Sequence, residues 1–306
     1  MQEQTITALC AALTAQQLPF AQGEPLAPHT TFKIGGPAAF WCTPRDAEQL
    51  RRTLQLCREN GVRVYLLGNG SNTLFDDAGF DGAVIDMRGL SGMENSGLDT
   101  DAVRITAGAG QTLGRLCSKA QTLGLTGLEF ACGIPGTVGG AVYMNAGAYG
   151  GEMADIVRRV TYLDAYGERR EAGRGELGFA YRKSRFEPGE TVLFAELELA
   201  PGDGEAILRR MAELAGKRRA SQPLDMPSAG SAFKRPEGAY AAALIDAAGL
   251  KGLRVGGAQV SEKHAGFIVN AGGAKSRDVL ELMDRVREEV LRHSGVELEP
   301  EIRVVR

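Results

Sequence analysis

The chain has 306 residues, a formal net charge of −3 and a sequence pI near 5.8. That length exceeds what one hydrophobic core usually organises and implies about two or three domains, while the mild acidity excludes the broad basic field that a nucleic-acid backbone or an anionic membrane would require. Cys10, Cys42, Cys57, Cys117 and Cys132 lack metal-ligand or disulfide spacing, and the chain has neither a signal-like N-terminus nor an apolar run of roughly 18 to 20 residues, so a soluble cytoplasmic protein without a metal site is expected.

In chain order, apolar spacing over residues 6–18 predicts a short amphipathic helix. Pro19, Pro25 and Pro28 then extend the path to a first strand at Thr30-Thr31-Phe32-Lys33-Ile34-Gly35-Gly36. Leucines at 50, 54 and 56 among charges predict a helix over 46–60, stopped by Gly61 and feeding a strand at 62–67. The loop Gly68-Asn69-Gly70-Ser71-Asn72 follows directly, and a strand ending in a bare turn is a place for a pyrophosphate.

Short strands are expected at 83–87, 103–107, 157–164, 169–172 and 191–199, the last with clear half-buried alternation, and helices at 111–123 and near 175–178. Residues 130–151 form a second glycine-dense, nearly uncharged segment, whose naked backbone suits a wall against a phosphate-bearing cofactor. Ordinary turn chemistry is the competing reading of either loop alone. Neither fits G-x-G-x-x-G with its following helix and acidic residue, so a Rossmann site is not supported. The interleaving reads as α+β, with a boundary near Pro201. Beyond it come a charged helix at 205–219, a proline-rich loop at 221–228, a helix at 239–247, a strand at 266–270, a helix at 276–293 with Ser276 as N-cap and Gly295 as stop, and a closing strand at 296–305.

Three groups could carry chemistry. Tyr181-Arg182-Lys183-Ser184-Arg185-Phe186 sets cations between aromatics and would hold a carboxylate or enolate, unless it is a solvated basic loop. Ser231, in Ser228-Ala229-Gly230-Ser231-Ala232-Phe233-Lys234-Arg235-Pro236, could donate a proton or merely stabilise a turn. Glu297, Glu299 and Glu301 alternate with apolar residues, as a solvated ladder or with one carboxylate facing a cleft.

Taken together, T-T-F-K-I-G-G-P-A, G-N-G-S-N-T-L, G-I-P-G-T-V-G-G-A-V-Y-M-N-A-G-A-Y-G, Y-R-K-S-R-F, A-G-S-A-F-K-R-P, G-G-A-Q-V-S-E-K-H-A-G-F-I-V-N and L-E-P-E-I-R span Thr30 to Arg303 and resemble the UDP-N-acetylenolpyruvoylglucosamine reductases, flavoenzymes of peptidoglycan precursor synthesis. The resemblance implies a two-lobed FAD-binding domain of the vanillyl-alcohol oxidase (PCMH) type at 30–200, with lobes at about 30–88 and 89–200. It also implies an N-terminal helix and arm at 1–29 and an α+β substrate domain at 201–306. The short turn at 187–190 resembles the type II branch, which lacks a tyrosine-bearing loop insertion.

The same resemblance places the catalytic arginine, proton-donating serine and glutamate on Arg182, Ser231 and Glu301. It assigns non-covalent FAD to Asn69, Gly70, Ser71 and Asn72 on one side and to Gly133, Ile134, Pro135, Gly136, Thr137, Gly139, Gly140 and Asn145 on the other. Tyr181, Lys234, Arg235, Gln259 and His264 become candidates for the UDP-sugar, with Arg235 standing where many relatives have asparagine, and His264 equally readable as a structural histidine. NADPH would reduce the flavin, which would pass hydride to an enolpyruvyl ether. The protein would act as a monomer or weak homo-oligomer. An oxidase of the same flavin fold and a redox-inactive nucleotide-sugar binding module are the rival readings.

Overall fold

A computed structural model describes residues 1–98 and 103–306. By compactness the chain divides into two units. The first comprises Met1–Ala21, Trp41–Asn69 and Ala83–Arg218; the second comprises Gln22–Phe40, Gly70–Gly82 and Arg219–Arg306. A boundary drawn from composition near Pro201 therefore differs from this division at three places, because two short N-terminal segments and residues 201–218 are sorted by long-range pairing that local composition does not record.

In the first unit, the helix Glu3–Ala15 buries Leu9 and Leu13 and begins three residues before the expected start. The helix Ala47–Glu59 buries Leu50, Thr53, Leu56 and Cys57 along one stripe, and Asp46 caps it by accepting from the Gln49 N–H at 2.8 Å. The strand Val64–Leu67 follows and pairs in parallel with Phe80–Asp86, from Val64 opposite Ala83 to Leu67 opposite Asp86. A larger antiparallel sheet runs in the order Arg169–Gly173, Val157–Leu163, Thr191–Pro201, Val103–Gly108, Met93–Leu98, with Leu125–Thr126 paired to the end of Thr191–Pro201. From Leu193 to Leu199 alternate residues of the strand Thr191–Pro201 are buried, as its sequence pattern predicts. The expected helix near 175–178 is only a 3-10 turn, Arg174–Glu176, since Gly175 and Gly178 leave too few helix-forming residues between them.

The second unit gathers its core from all three of its segments: Phe32 and Ile34 from the first, Leu74 from the second, and from the third Phe233, Ile245, Ile268, Leu282, Val286, Leu298 and Ile302. Its sheet has the order Ser228–Ser231, Phe267–Asn270, Ala258–Val260, Arg254–Val255. The helix Ser276–Ser294 covers it and ends where Gly295 adopts φ 72°, its N–H bonding the Leu291 carbonyl at 2.8 Å. Ser276 does not cap this helix with its own side chain. Its Oγ and its N–H both donate to Asp77 Oδ2 at 2.8 Å, fastening the segment Gly70–Gly82 to the helix start.

Two expected strands of this unit are corrected. Residues 30–36 are not a strand, because Lys33 takes φ 58° and Gly35 φ 139°, which break an extended run. Of residues 296–305 only Arg303–Val305 is a strand, paired in parallel with Thr73–Phe75. Pro300 has no N–H to offer a ladder and makes one isolated bridge to Phe233. Among the described residues no helix is long and apolar enough to cross a membrane.

Candidate functional site

Gly68 and Asn69, which open the first glycine loop, meet the second glycine segment within the first unit. Asn69 Nδ2 donates to the Pro135 carbonyl at 2.7 Å, and a Cβ on Gly68 would lie 2.4 Å from Thr137 Oγ1, so the turn leaving Val64–Leu67 lies against the start of the second loop only because residue 68 has no side chain. Part of the expected wall of free donors is already engaged. The Val138 N–H bonds the Gln111 carbonyl and the Gly139 N–H bonds the Ala109 carbonyl, each at 2.8 Å, and Gly139 is glycine because a Cβ would come within 2.8 Å of Ala109. Gly140 is exposed.

One residue that sequence reasoning missed completes this wall. Arg218, near the end of the helix Gly204–Ser221, lays its stem on Gly133: a Cβ there would sit 2.9 Å from Arg218 Cδ and 3.3 Å from Nη1. Arg218 Nε is buried and has no hydrogen-bond partner among the described residues. Burial pushes its pKa down, yet a guanidinium keeps its charge. An orphaned cationic donor beside glycines fits a phosphate-bearing cofactor. In the sequence Arg218 was one cation of Lys217-Arg218-Arg219 on a charged helix, with no sign of which would turn inward.

Asn145 has a different place from the one expected. It is fully buried with φ 42°; its Nδ2 donates to the Ala180 carbonyl at 3.1 Å, and its Oδ1 accepts from the Ala154 N–H at 2.9 Å. Its amide ties the glycine segment to the Tyr181 turn. Ala180 and Lys183 exchange backbone bonds of 3.0 Å across that turn, and Arg182 sits at its tip with φ 54°. Arg182 Nη2 reaches the Gly147 carbonyl at 3.4 Å, and its guanidinium lies 5.1 Å from the centre of the exposed Tyr181 ring. The neighbours are structural: Ser184 Oγ donates to the Tyr143 carbonyl at 2.7 Å, and Arg185 bonds Tyr162 and Glu190.

In the second unit, Ser231 ends the strand Ser228–Ser231, opposite Phe267. The next carbonyl, of Ala232, accepts from the Glu301 N–H at 2.9 Å, so these two segments run side by side. Asn72 Nδ2 donates to the Glu301 carbonyl at 3.2 Å, and the Asn72 carbonyl accepts from the Arg303 N–H at 3.0 Å. Asn72 thus anchors the glutamate-bearing segment. Gly70 has φ 59° and lies so near His29 that a Cβ would be 2.4 Å from its carbonyl oxygen, while Ser71 is half-buried.

Lys234 pairs with Glu299, and Arg235 lies 4.3 Å over the Tyr240 ring. Gln259 accepts from Arg254 at 2.8 Å and donates to Glu262 at 3.4 Å. His264 accepts the Gly266 N–H at its Nδ1 and meets Phe267 edge-on at 4.9 Å. Burial holds its pKa below the ordinary histidine value, as for a neutral structural imidazole.

The description "FAD binding domain" matches residues 38–173, and "UDP-N-acetylenolpyruvoylglucosamine reductase, C-terminal domain" matches residues 222–305. The UDP-N-acetylenolpyruvoylglucosamine reductase of Agathobacter rectalis is 48% identical over 302 residues, covering 94% of this chain and 95% of that protein. That of Moorella thermoacetica is 46% identical over 300 residues, covering 98% of both. The crystal structure of the Thermus caldophilus reductase covers 94% of this chain and 99% of its own, at 41% identity and a TM-score of 0.80. A berberine-bridge-enzyme-like protein of Physcomitrella patens, 16% identical with a TM-score of 0.50 over 63% of this chain and 44% of its own, shares the fold alone.

Proposed function

Because the chain belongs to the UDP-N-acetylenolpyruvoylglucosamine reductase family, and so is an FAD-domain oxidoreductase of α+β architecture, we propose that it reduces UDP-N-acetylglucosamine enolpyruvate to UDP-N-acetylmuramate with electrons from NADPH. The observation that carries this reading is the junction of Ser231 with the Glu301 segment through the 2.9 Å bond to Ala232, which puts an alcohol and a carboxylate on adjoining segments in the part of the chain matched to the reductase C-terminal domain.

The chemistry that bound FAD supplies is two-electron transfer, from NADPH to the terminal carbon of the enolpyruvyl ether. Addition of hydride there leaves negative charge on the neighbouring carbon and its carboxylate. Arg182, whose backbone is held at the tip of a turn with φ 54°, offsets that charge in this reading, fixed charge being more effective than charge that must reorganise. Ser231 gives its hydroxyl proton to the carbanionic carbon from one side and so sets the new stereocentre. Glu301 holds the proton network, its backbone fixed by Ala232 and Asn72. Lys234 and Arg235 contribute cations for the sugar nucleotide, each already oriented by Glu299 or Tyr240.

The test is an absorption spectrum of the purified protein, followed by NADPH consumption with and without UDP-N-acetylglucosamine enolpyruvate. Flavin bands and turnover that requires the enolpyruvyl sugar are expected. A colourless protein, or a flavoprotein whose NADPH oxidation is indifferent to the sugar nucleotide and driven by oxygen, overturns the reading.

A further inference from the structure

The backbone donors of the glycine wall are only partly available, since the Val138 and Gly139 N–H groups close on Gln111 and Ala109. A diphosphate set against that wall therefore needs charge from elsewhere. Arg218 is the cation that touches it. Its stem rests on Gly133, the first glycine of the second loop, and its Nε is buried without a partner among the described residues. The titratable groups that act on it are Tyr149 and Cys132, and neither is a carboxylate. The Cys132 thiol is itself engaged, donating to the Met211 carbonyl at 3.7 Å.

A surface arginine in an ion pair keeps its stability whether or not a ligand arrives. A half-buried guanidinium with an orphaned N–H does not: it carries a desolvation cost that a bound anion removes. Glycine at 133 fits the same account, because a Cβ would displace Arg218 Cδ and swing the guanidinium off the loop. Carboxylate pairing, the ordinary reason for an inward-turned arginine, is missing here among the described residues.

We infer that Arg218, seated on Gly133, is the diphosphate anchor of the cofactor site, supplying the fixed positive charge that the glycine loops themselves cannot. The inference rests on the FAD reading and adds to it a residue outside both glycine motifs. It makes the site selective for a phosphate-bearing flavin over riboflavin, because riboflavin carries no anion for the guanidinium to hold.

The experiment is flavin-fluorescence titration of apoprotein prepared from wild type, Arg218→Gln, Arg218→Lys and Gly133→Ala, with FAD and with riboflavin. Loss of one charge-assisted contact is expected to raise the FAD Kd about 10- to 100-fold in Arg218→Gln. A smaller rise is expected in Arg218→Lys, which keeps the charge, and in Gly133→Ala, which displaces it. Riboflavin affinity stays within about twofold throughout. Thermal melts of the apoproteins separate this from a structural role: Arg218→Gln without FAD melts at or above the wild-type temperature, having lost an unpaired buried charge, while its FAD-induced rise shrinks.

An FAD Kd in Arg218→Gln within twofold of wild type overturns the inference, as does an apoprotein that melts well below wild type. Calorimetry with UDP-N-acetylglucosamine distinguishes the other diphosphate: weakened binding of that ligand with FAD affinity intact assigns Arg218 to the sugar nucleotide and likewise overturns the proposal. If wild-type apoprotein binds no FAD, it is the cofactor reading that fails.

Discussion

Serine is a weak acid, and Ser231 can serve as a proton donor only to something as basic as the carbanionic carbon left by hydride addition. Ser231→Ala is therefore expected to leave NADPH bleaching of the flavin intact while slowing reoxidation by the enolpyruvyl sugar about 10²- to 10⁴-fold in stopped-flow. Equal reoxidation rates would remove Ser231 from the mechanism. Asn145 belongs to the same scale with a different job. Its amide satisfies one donor and one acceptor where no water enters, so Asn145→Ala leaves the Ala180 carbonyl and the Ala154 N–H unpaired, at about 1–3 kcal/mol each. The urea midpoint should fall accordingly, with Asn145→Asp, which keeps the acceptor for Ala154, in between. In the sequence Asn145 was read as a cofactor contact because an asparagine among glycines offers donors. That its donor faces Ala180, 35 residues on, is a tertiary fact with no local signature.

At the scale of elements, legibility follows whether the deciding force is local. The helix Ala47–Glu59 announced itself through its leucines among charges and Gly61, and the structure follows suit. Residues 296–305 misled because alternation of apolar and acidic side chains is a statement about burial. Leu298 and Ile302 are indeed buried, but Pro300 denies the backbone a ladder. Residues 30–36 misled because nothing in Lys33 advertises a positive φ.

The helix Ser276–Ser294 carries a pH prediction. Asp278 accepts from the Lys275 N–H at 3.0 Å and the Gly257 N–H at 3.2 Å, and these bonds, that from Lys275 foremost, hold its carboxyl below the ordinary aspartate range. With the folded value depressed, its stabilisation is present above the unfolded pKa of about 3.9 and is lost as pH falls through the folded value. Asp278→Ala should lower stability near neutrality by about 1 kcal/mol and flatten the acid limb of a stability–pH curve. An unchanged acid limb would locate the sensitivity elsewhere.

For the whole molecule, several short strings in the right order made the family legible, whereas the division into units was not, because Gln22–Phe40 and Gly70–Gly82 are recruited by partners more than a hundred residues away. A cofactor bound only by the folded chain raises stability by mass action, about 2.7 kcal/mol at a free concentration one hundred times its Kd. Stripping FAD should accordingly lower the melting temperature of the wild type by several degrees, and re-adding FAD should restore it. A melting temperature insensitive to FAD would mean that the folded chain has no preference for it.

The parallel pairing of Thr73–Phe75 with Arg303–Val305 carries a consequence for synthesis. On the ribosome the earlier strand emerges long before its mate is translated, and the Phe32, Ile34 and Leu74 side chains must wait for the stretch from Ala229 to Ile302 before they find shelter. Nascent chains arrested before residue 303 should be readily digested around position 74, acquiring protease resistance only once Arg303–Val305 has emerged.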